Sequence, residues 1–213
     1  MFFVSTVEEN DYKILESGAR GYFNDLESAI DAVHRNVTDI HETIYPYAVI
    51  EELEPGLFPI PKKRLWFAWI EEKWGFYETE KPDFANKYPN NFSIAMRAVG
   101  KEGYDIAKLC PNNVEDKNAN YFISLQDSEN KNYLHCGFFN DRKTAFNVVC
   151  ENYGNIYNGT YGIALIECIT PYILPKTEER VWFKWDNKMG RYCKTYTPKE
   201  FIKYPPNFSL ILG

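Results

Sequence analysis

The chain has 213 residues, of which 45% are hydrophobic and 17% aromatic, and its net charge is −6. This composition excludes a mainly disordered chain and indicates one large domain or two small ones. Because no apolar run reaches the ~18 residues that span a bilayer, and because the charge is acidic, we expect neither a membrane nor a nucleic acid as partner.

Two short strands are predicted at the start of the chain. Phe2–Val7 and Tyr12–Leu15 are rich in β-branched and aromatic residues, and turn-forming residues separate them. This spacing is typical of an antiparallel pair.

A helix is predicted next. Asn24 and Asp25 are candidate N-terminal caps, and Asn24 stands three residues before Glu27, which is the spacing of a capping box. One apolar stripe at helical spacing follows and consists of Leu26, Ala29, Ile30, Val33, Val37 and Ile40. The helix is therefore expected to extend towards Ile40.

The remaining predicted elements are mostly strands. Pro55 and Pro59 lie in a predicted loop, and Pro82 is suited to the first position of a short helix. The predicted strands are Tyr47–Leu53, Arg64–Ile70, Phe76–Glu80 and a closing strand that begins at Asn91.

The same pattern then returns at a constant offset of 116 residues. Residues 21–94 and 137–210 share 26 identities in 74 positions, about 35%. Copy one spans residues 1–96, copy two spans 120–213, and 97–119 form a linker. The matching strands of copy two are Tyr121–Gln126, Tyr133–Cys136, Ile163–Ile169, Arg180–Asp186 and Arg191–Tyr196.

Each copy thus has the order ββαβββ(α)β, in which helix and strand do not alternate regularly. Such an order favours the α+β class with a mostly antiparallel sheet.

Two tryptophan-containing strands carry the candidate binding surface. Alternation places Leu65, Phe67 and Trp69 on a core face, as it does their counterparts in copy two. The opposite face keeps an arginine and a tryptophan in both copies and becomes polar in copy two, so we expect it to be at least half exposed there. Its candidate binding residues are Arg64, Trp66, Arg180, Trp182 and Lys184. The alternatives are a structural arginine–tryptophan stack and a face that joins the copies as an internal pseudo-dimer.

Two acidic residues are retained within strands. Glu51 falls opposite Arg64, and Glu167 opposite Arg180, if the intervening loop is symmetric. A cross-strand ion pair in each copy is the simplest interpretation.

No catalytic motif occurs in the chain. His34, His41 and His135 are spaced unlike a metal pair, and there is no HExxH, P-loop or GxSxG motif. The five cysteines lack any CxxC spacing and no export signal is evident, so we expect free thiols and a cytoplasmic protein. We assign no catalytic residue, no metal and no cofactor.

The segments YAVIEELEPGLFP, RLWFAW and NFSI, with YGIALIECITPYILP, RVWFKW and NFSL in copy two, carry a resemblance. This pattern resembles short uncharacterised proteins of low-GC Gram-positive bacteria and their phages, which have a single copy. The resemblance implies a context of accessory genes, often in mobile elements, and it assigns no particular activity to any residue.

The expected function is therefore that of a non-enzymatic binding protein, phage-encoded in one interpretation, which blocks a host defence or regulatory protein. Duplication would fix two binding surfaces in one chain. The alternative is a protein that sequesters a nucleotide-like small molecule in an aromatic and arginine pocket between the copies.

Overall fold

The structure is a computed structural model that describes residues 1–9, 15–87, 91–93, 120–127, 133–157, 159–175 and 177–199. The predicted linker and the predicted closing strand of copy two lie outside the described residues.

Copy one contains six strands and one α-helix. The strands are β1 (Phe2–Glu9), β2 (Leu15–Phe23), β3 (Tyr47–Glu52), β4 (Gly56–Leu57), β5 (Lys63–Ile70) and β6 (Gly75–Thr79), and the helix is α1 (Leu26–His34). Short 3-10 helices lie at Val37–Asp39, Glu71–Lys73 and Asp83–Lys87. The last of these follows Pro82, where the sequence predicts a short helix.

Copy two has the same order. The strands are β7 (Asn120–Gln126), β8 (Tyr133–Phe139), β9 (Ile163–Ile169), β10 (Tyr172–Ile173), β11 (Thr177–Asp186) and β12 (Arg191–Thr195), the helix is α2 (Arg142–Cys150), and a 3-10 helix lies at Tyr153–Asn155. The described chain forms two antiparallel six-stranded sheets and two α-helices, so the predicted α+β class is confirmed.

The two copies exchange a short strand. The first sheet has the order β10-β2-β1-β3-β5-β6 and the second β12-β11-β9-β7-β8-β4. Strand β4 of copy one therefore completes the sheet of copy two, and β10 of copy two completes the sheet of copy one. We call residues 56–58 and 172–174 the hooks.

Each hook docks on a glycine of the opposite copy. Gly21 pairs with Ile173, and Gly137 pairs with Leu57. A Cβ atom at Gly21 would lie 2.0 Å from the carbonyl oxygen of Tyr172, and one at Gly137 would lie 1.9 Å from that of Gly56. Only glycine leaves room for the incoming backbone, which explains why both copies have it inside a strand.

A shared aromatic core lies between the copies. The Phe3 ring lies 5.0 Å from the Phe138 ring, centroid to centroid, and the Tyr22 hydroxyl donates a 2.5 Å hydrogen bond to the Ile169 carbonyl. The buried members are Phe3, Tyr22, Leu53, Phe122, Phe138 and Ile169. The copies thus pack together through this core and the hooks, and Trp66 and Trp182 are not members of it.

The helices begin and end differently from the sequence-based expectation. Asp25 is the N-cap of α1 and accepts a hydrogen bond from the Ser28 backbone N–H at 2.8 Å, as Asp141 does from Thr144 at 2.7 Å. The predicted capping box at Asn24 is therefore wrong by one residue.

The predicted extension of the helix towards Ile40 is also wrong. Helix α1 ends at His34, because Asn36 adopts a left-handed conformation with φ of 47°. Asn152, its counterpart in copy two, does the same with φ of 51°. Asparagine tolerates this conformation better than most residues and turns the chain into a 3-10 segment.

Two strand predictions in copy one also need correction. Strand β2 covers Leu15–Phe23 rather than Tyr12–Leu15, whose first three residues lie outside the described part. Within this strand, Gly21 receives the hook of copy two. Residues 91–93 form a bend rather than the predicted closing strand.

Candidate functional site

The two predicted cross-strand ion pairs are confirmed. Glu51 stands opposite Arg64 in the register of β3 and β5, and the Arg64 Nε donates to Glu51 Oε1 at 2.8 Å. Arg180 Nε donates to Glu167 Oε1 at 3.0 Å in copy two. Both carboxylates are fully buried. These residues hold the sheet together, and the pairs account for their retention in both copies.

Glu51 also binds Phe92 and Ser93, which follow in a later segment of copy one. Its Oε2 accepts hydrogen bonds from the Phe92 backbone N–H at 2.7 Å and from the Ser93 hydroxyl at 2.9 Å. Burial raises the pKa of Glu51, and the Arg64 charge opposes that rise. The carboxylate is therefore a structural anchor whose ionisation is opposed by burial and favoured by Arg64, Phe92 and Ser93.

Trp66 and Trp182 are buried, with 4% and 3% of their surface exposed. The expectation that this face is half exposed in copy two is therefore wrong for Trp182. In copy one the reason is a second layer: Phe84 and Phe92 pack edge-on against Trp66 at centroid distances of 6.2 and 5.4 Å. Both faces of this sheet are covered, so Trp66 has no open surface to offer a partner.

The other predicted binding residues are spread over separate environments. The Arg64 guanidinium lies over the ring of Phe92, 5.1 Å from its centroid, and its side chain is largely buried, as is that of Arg180. Lys184 is exposed on β11. The structure therefore does not bring the five residues together as one exposed surface.

An aromatic cluster lies where β5 and β6 meet. His41 stacks on Trp69 with ring centroids 3.8 Å apart and planes at 6°, and the Trp69 indole N–H donates to Glu71 Oε2 at 2.8 Å. Burial lowers the pKa of His41. Copy two has the same stack, made by Tyr157 and Trp185 at 3.9 Å.

Trp74 extends this cluster into solvent. It stands at the end of the turn between β5 and β6, lies edge-on to Trp69 at 6.3 Å, and is 73% exposed. Its backbone is left-handed, with φ of 49°. We call the exposed residues 71–74 the acidic turn, since Glu71 and Glu72 precede Lys73 and Trp74.

The equivalent turn of copy two lacks the tryptophan. Gly190 holds the left-handed position there, with φ of 63°, and Met189 beside it is 54% exposed. The residues of this turn are Asn187, Lys188, Met189 and Gly190. Both turns end on a left-handed residue, and they differ in backbone hydrogen bonding, in charge and in their exposed side chain.

Sequence reasoning missed Trp74 although a signal was present. At the offset of 116 residues, Trp74 aligns with Gly190, the last residue before β12. A tryptophan that replaces a turn glycine is an unusual choice, because bulky residues rarely adopt positive φ.

A surface groove of about 500 Å³ lies where helix α1 meets the hook of copy two. Its lining includes Phe23, Glu27, Asp31, Arg35, Val37 and Tyr172. Tyr172 is 56% exposed, and Arg35 pairs with Asp31 at 3.1 Å across an exposed face. The groove thus combines aromatic walls with charged rims.

No metal centre is found among the described residues. No group of three histidine, cysteine or acidic side chains in this part of the chain could hold a metal ion. His34 stacks on Tyr77 with ring centroids 5.5 Å apart, and His41 belongs to the aromatic cluster. These contacts give both histidines packing roles.

No family model, curated protein or solved structure matches this chain. Within the described residues, no helix has the length and apolar character needed to cross a membrane.

Proposed function

We propose that this chain is a non-enzymatic binding protein that acts by occupying a surface of another protein through the acidic turn. The observation that carries the proposal is Trp74, a tryptophan that is 73% exposed at a left-handed backbone position. Tryptophan is among the residues most enriched at the energetic centres of protein interfaces.

The energetics of Trp74 favour this interpretation. A left-handed backbone costs a non-glycine residue about 1–2 kcal/mol, and an exposed side chain recovers little of that by burial. Strain that the fold does not need is concentrated at functional positions. Copy two has Gly190 at the same place, so the turn itself does not require a tryptophan.

The packing around Trp74 suits a binding role as well. Trp69 is held in place by its stack on His41 and by its hydrogen bond to Glu71. The Trp74 ring packs edge-on against Trp69. A supported aromatic ring loses less conformational freedom on binding than a free one. The acidic turn is therefore a preorganised contact.

The proposed mode of action is blockade of a defence or regulatory protein of a bacterial host, in keeping with the resemblance to proteins of mobile elements. The two copies differ at their turns, so we propose one principal contact per chain rather than two equal ones. The hooks and the shared core hold this contact on a fixed scaffold.

A nucleotide-sequestering function receives less support from the geometry. Its expected pocket needs Trp66 and Trp182 to line one cleft, whereas each is buried on its own sheet. The groove at the junction of the copies carries Glu27 and Asp31, which repel phosphate, and its one guanidinium, Arg35, is already paired with Asp31.

The experiment is an affinity capture with the tagged full chain from a lysate of a low-GC Gram-positive host. Wild type is compared with Trp74→Gly, which copies the residue of the second turn, and with Met189→Ala, which removes the exposed side chain of that turn. We expect a stoichiometric partner that Trp74→Gly loses and Met189→Ala keeps. A partner retained by Trp74→Gly at full strength would refute the acidic turn as the contact.

A further inference from the structure

The groove beside α1 is built from both copies. Phe23 and Val37 come from copy one, and Tyr172 comes from the hook of copy two. Glu27 and Asp31 are one helical turn apart on α1, so both carboxylates face the same rim. Glu27 has no ion-pair partner among the described residues, and its carboxylate is exposed.

The chemistry of this lining is that of a cation site. Carboxylates attract a cationic group, and the faces of exposed aromatic rings such as Tyr172 attract it further. Arg35 is held by Asp31 at the far end of the rim, and its side chain remains 71% exposed. A planar guanidinium can both stack on an aromatic ring and pair with a carboxylate, and the lining supplies these two groups in Tyr172 and Glu27.

The charge of the whole copy points the same way. Residues 1–96 contain 17 acidic and 9 basic residues, whereas residues 120–213 contain 9 acidic and 11 basic ones. Copy one therefore has a net charge of −8 (9 minus 17) and copy two one of +2 (11 minus 9), and the field of copy one attracts a basic surface at long range.

Copy two provides an internal contrast at the symmetric place. Lys143 and Asn147 stand where copy one has Glu27 and Asp31, and Gly56 stands where the other hook has Tyr172. The two carboxylates and the hook tyrosine are thus absent together from the second copy, although the backbone framework is repeated and Phe139 and Tyr153 stand at the places of Phe23 and Val37.

We infer that the groove takes an arginine or lysine side chain from a basic segment of the protein partner. This inference rests on the proposed function and names the chemistry of the partner: a positively charged surface segment that contacts α1 of copy one and the Tyr172 hook beside it.

The probe is a fluorescein-labelled hexa-arginine peptide titrated with the full chain at low salt and followed by anisotropy. Glu27→Gln/Asp31→Asn and Tyr172→Ala are the groove variants. Glu78→Gln/Glu80→Gln removes the same charge from an exposed part of copy one, and Tyr196→Ala removes a tyrosine that is 94% exposed. Hexa-lysine in place of hexa-arginine separates an ammonium from a guanidinium preference.

We expect each groove variant to weaken binding roughly five-fold or more, while each control changes it by less than about two-fold. Equal weakening by the two double variants would overturn the inference, since it would show attraction by net charge alone. Absence of binding at millimolar peptide would overturn it too. Neither result bears on the loss of the captured partner by Trp74→Gly, so failure of the groove and failure of the acidic turn are distinguishable.

Discussion

Phe58 and Leu174 adopt the same left-handed backbone conformation, with φ of 46° in each, and each donates its backbone N–H to the opposite copy. Phe58 donates to the Cys136 carbonyl and Leu174 to the Arg20 carbonyl, both at 2.6 Å. Such a conformation costs a bulky residue about 1–2 kcal/mol. The fold tolerates this cost twice because the left-handed residue ends each hook strand after its two paired residues.

Docking of the hooks should depend on Gly21 and Gly137. Alanine at Gly21 would place its Cβ 2.0 Å from the Tyr172 carbonyl oxygen, so the hook must move away. We expect Gly21→Ala to lower the free energy of unfolding by about 3 kcal/mol or more, measured by urea denaturation. Gly162→Ala is the control, because nothing lies within 4 Å of its added Cβ. Equal stability of the two variants would contradict the described exchange.

The buried Glu51 should make stability depend on pH. Because burial raises its folded pKa above the ordinary value of 4.5, the folded state binds the proton more tightly than the unfolded state. The stability that the protonated Glu51 contributes is therefore fully present below pH 4.5 and is lost as the pH rises through the pKa of the folded state.

Urea midpoints at pH 4, 5, 6 and 7 test this dependence. Wild type should lose stability relative to Glu51→Gln as the pH rises over that range, since glutamine does not ionise. A difference between the two proteins that stays constant with pH, or changes in the opposite direction, would show that Glu51 has no raised pKa.

Replacement of Trp74 should leave the fold intact. Trp74→Gly relieves the left-handed strain, which stabilises the fold. It also raises the conformational entropy of the unfolded chain and removes the edge contact with Trp69, and both of these changes destabilise the fold. Each effect is about 1 kcal/mol. We therefore expect the free energy of unfolding to change by less than about 1 kcal/mol. The reverse change, Gly190→Trp, should destabilise by about 1–2 kcal/mol. A collapse of Trp74→Gly would instead identify Trp74 as part of the core.

The two helix caps offer a matched pair of substitutions. Asp25→Ala and Asp141→Ala should each lower stability by about 1 kcal/mol, because each removes the acceptor for a first-turn N–H. Asn24→Ala, next to the cap, should change stability by less than about 0.5 kcal/mol. A larger effect at Asn24 than at Asp25 would restore the predicted capping box.

Much of the fold could be predicted from the sequence because its signals are local or repeated. Strand alternation identified Phe67 and Phe183 as core, and the assumption of a symmetric loop placed Glu51 opposite Arg64 and Glu167 opposite Arg180. Helix termination at Asn36 was missed because the apolar stripe continues past it, and a stripe carries no information on backbone φ.

The hooks and the burial of Trp66 depend on contacts between residues far apart in the chain, and the local sequence pattern does not reveal such contacts. The hooks are two-residue strands between prolines, shorter than any periodicity can reveal, and their partners lie in the other copy. Trp66 has the character of a binding residue in the sequence, but Phe84 and Phe92 from a later segment cover it. Burial of that kind depends on tertiary packing rather than on strand alternation.

Because the hooks are exchanged, the sheet of each copy needs a strand from the other copy to be complete. Heating should melt both sheets in one transition, since losing either hook opens an edge in the opposite sheet and uncovers the aromatic residues between them. A protein with a single copy of this pattern would have to borrow its sixth strand from a second molecule. Duplication within one gene would then have turned an assembly that depends on concentration into one that forms at any dilution.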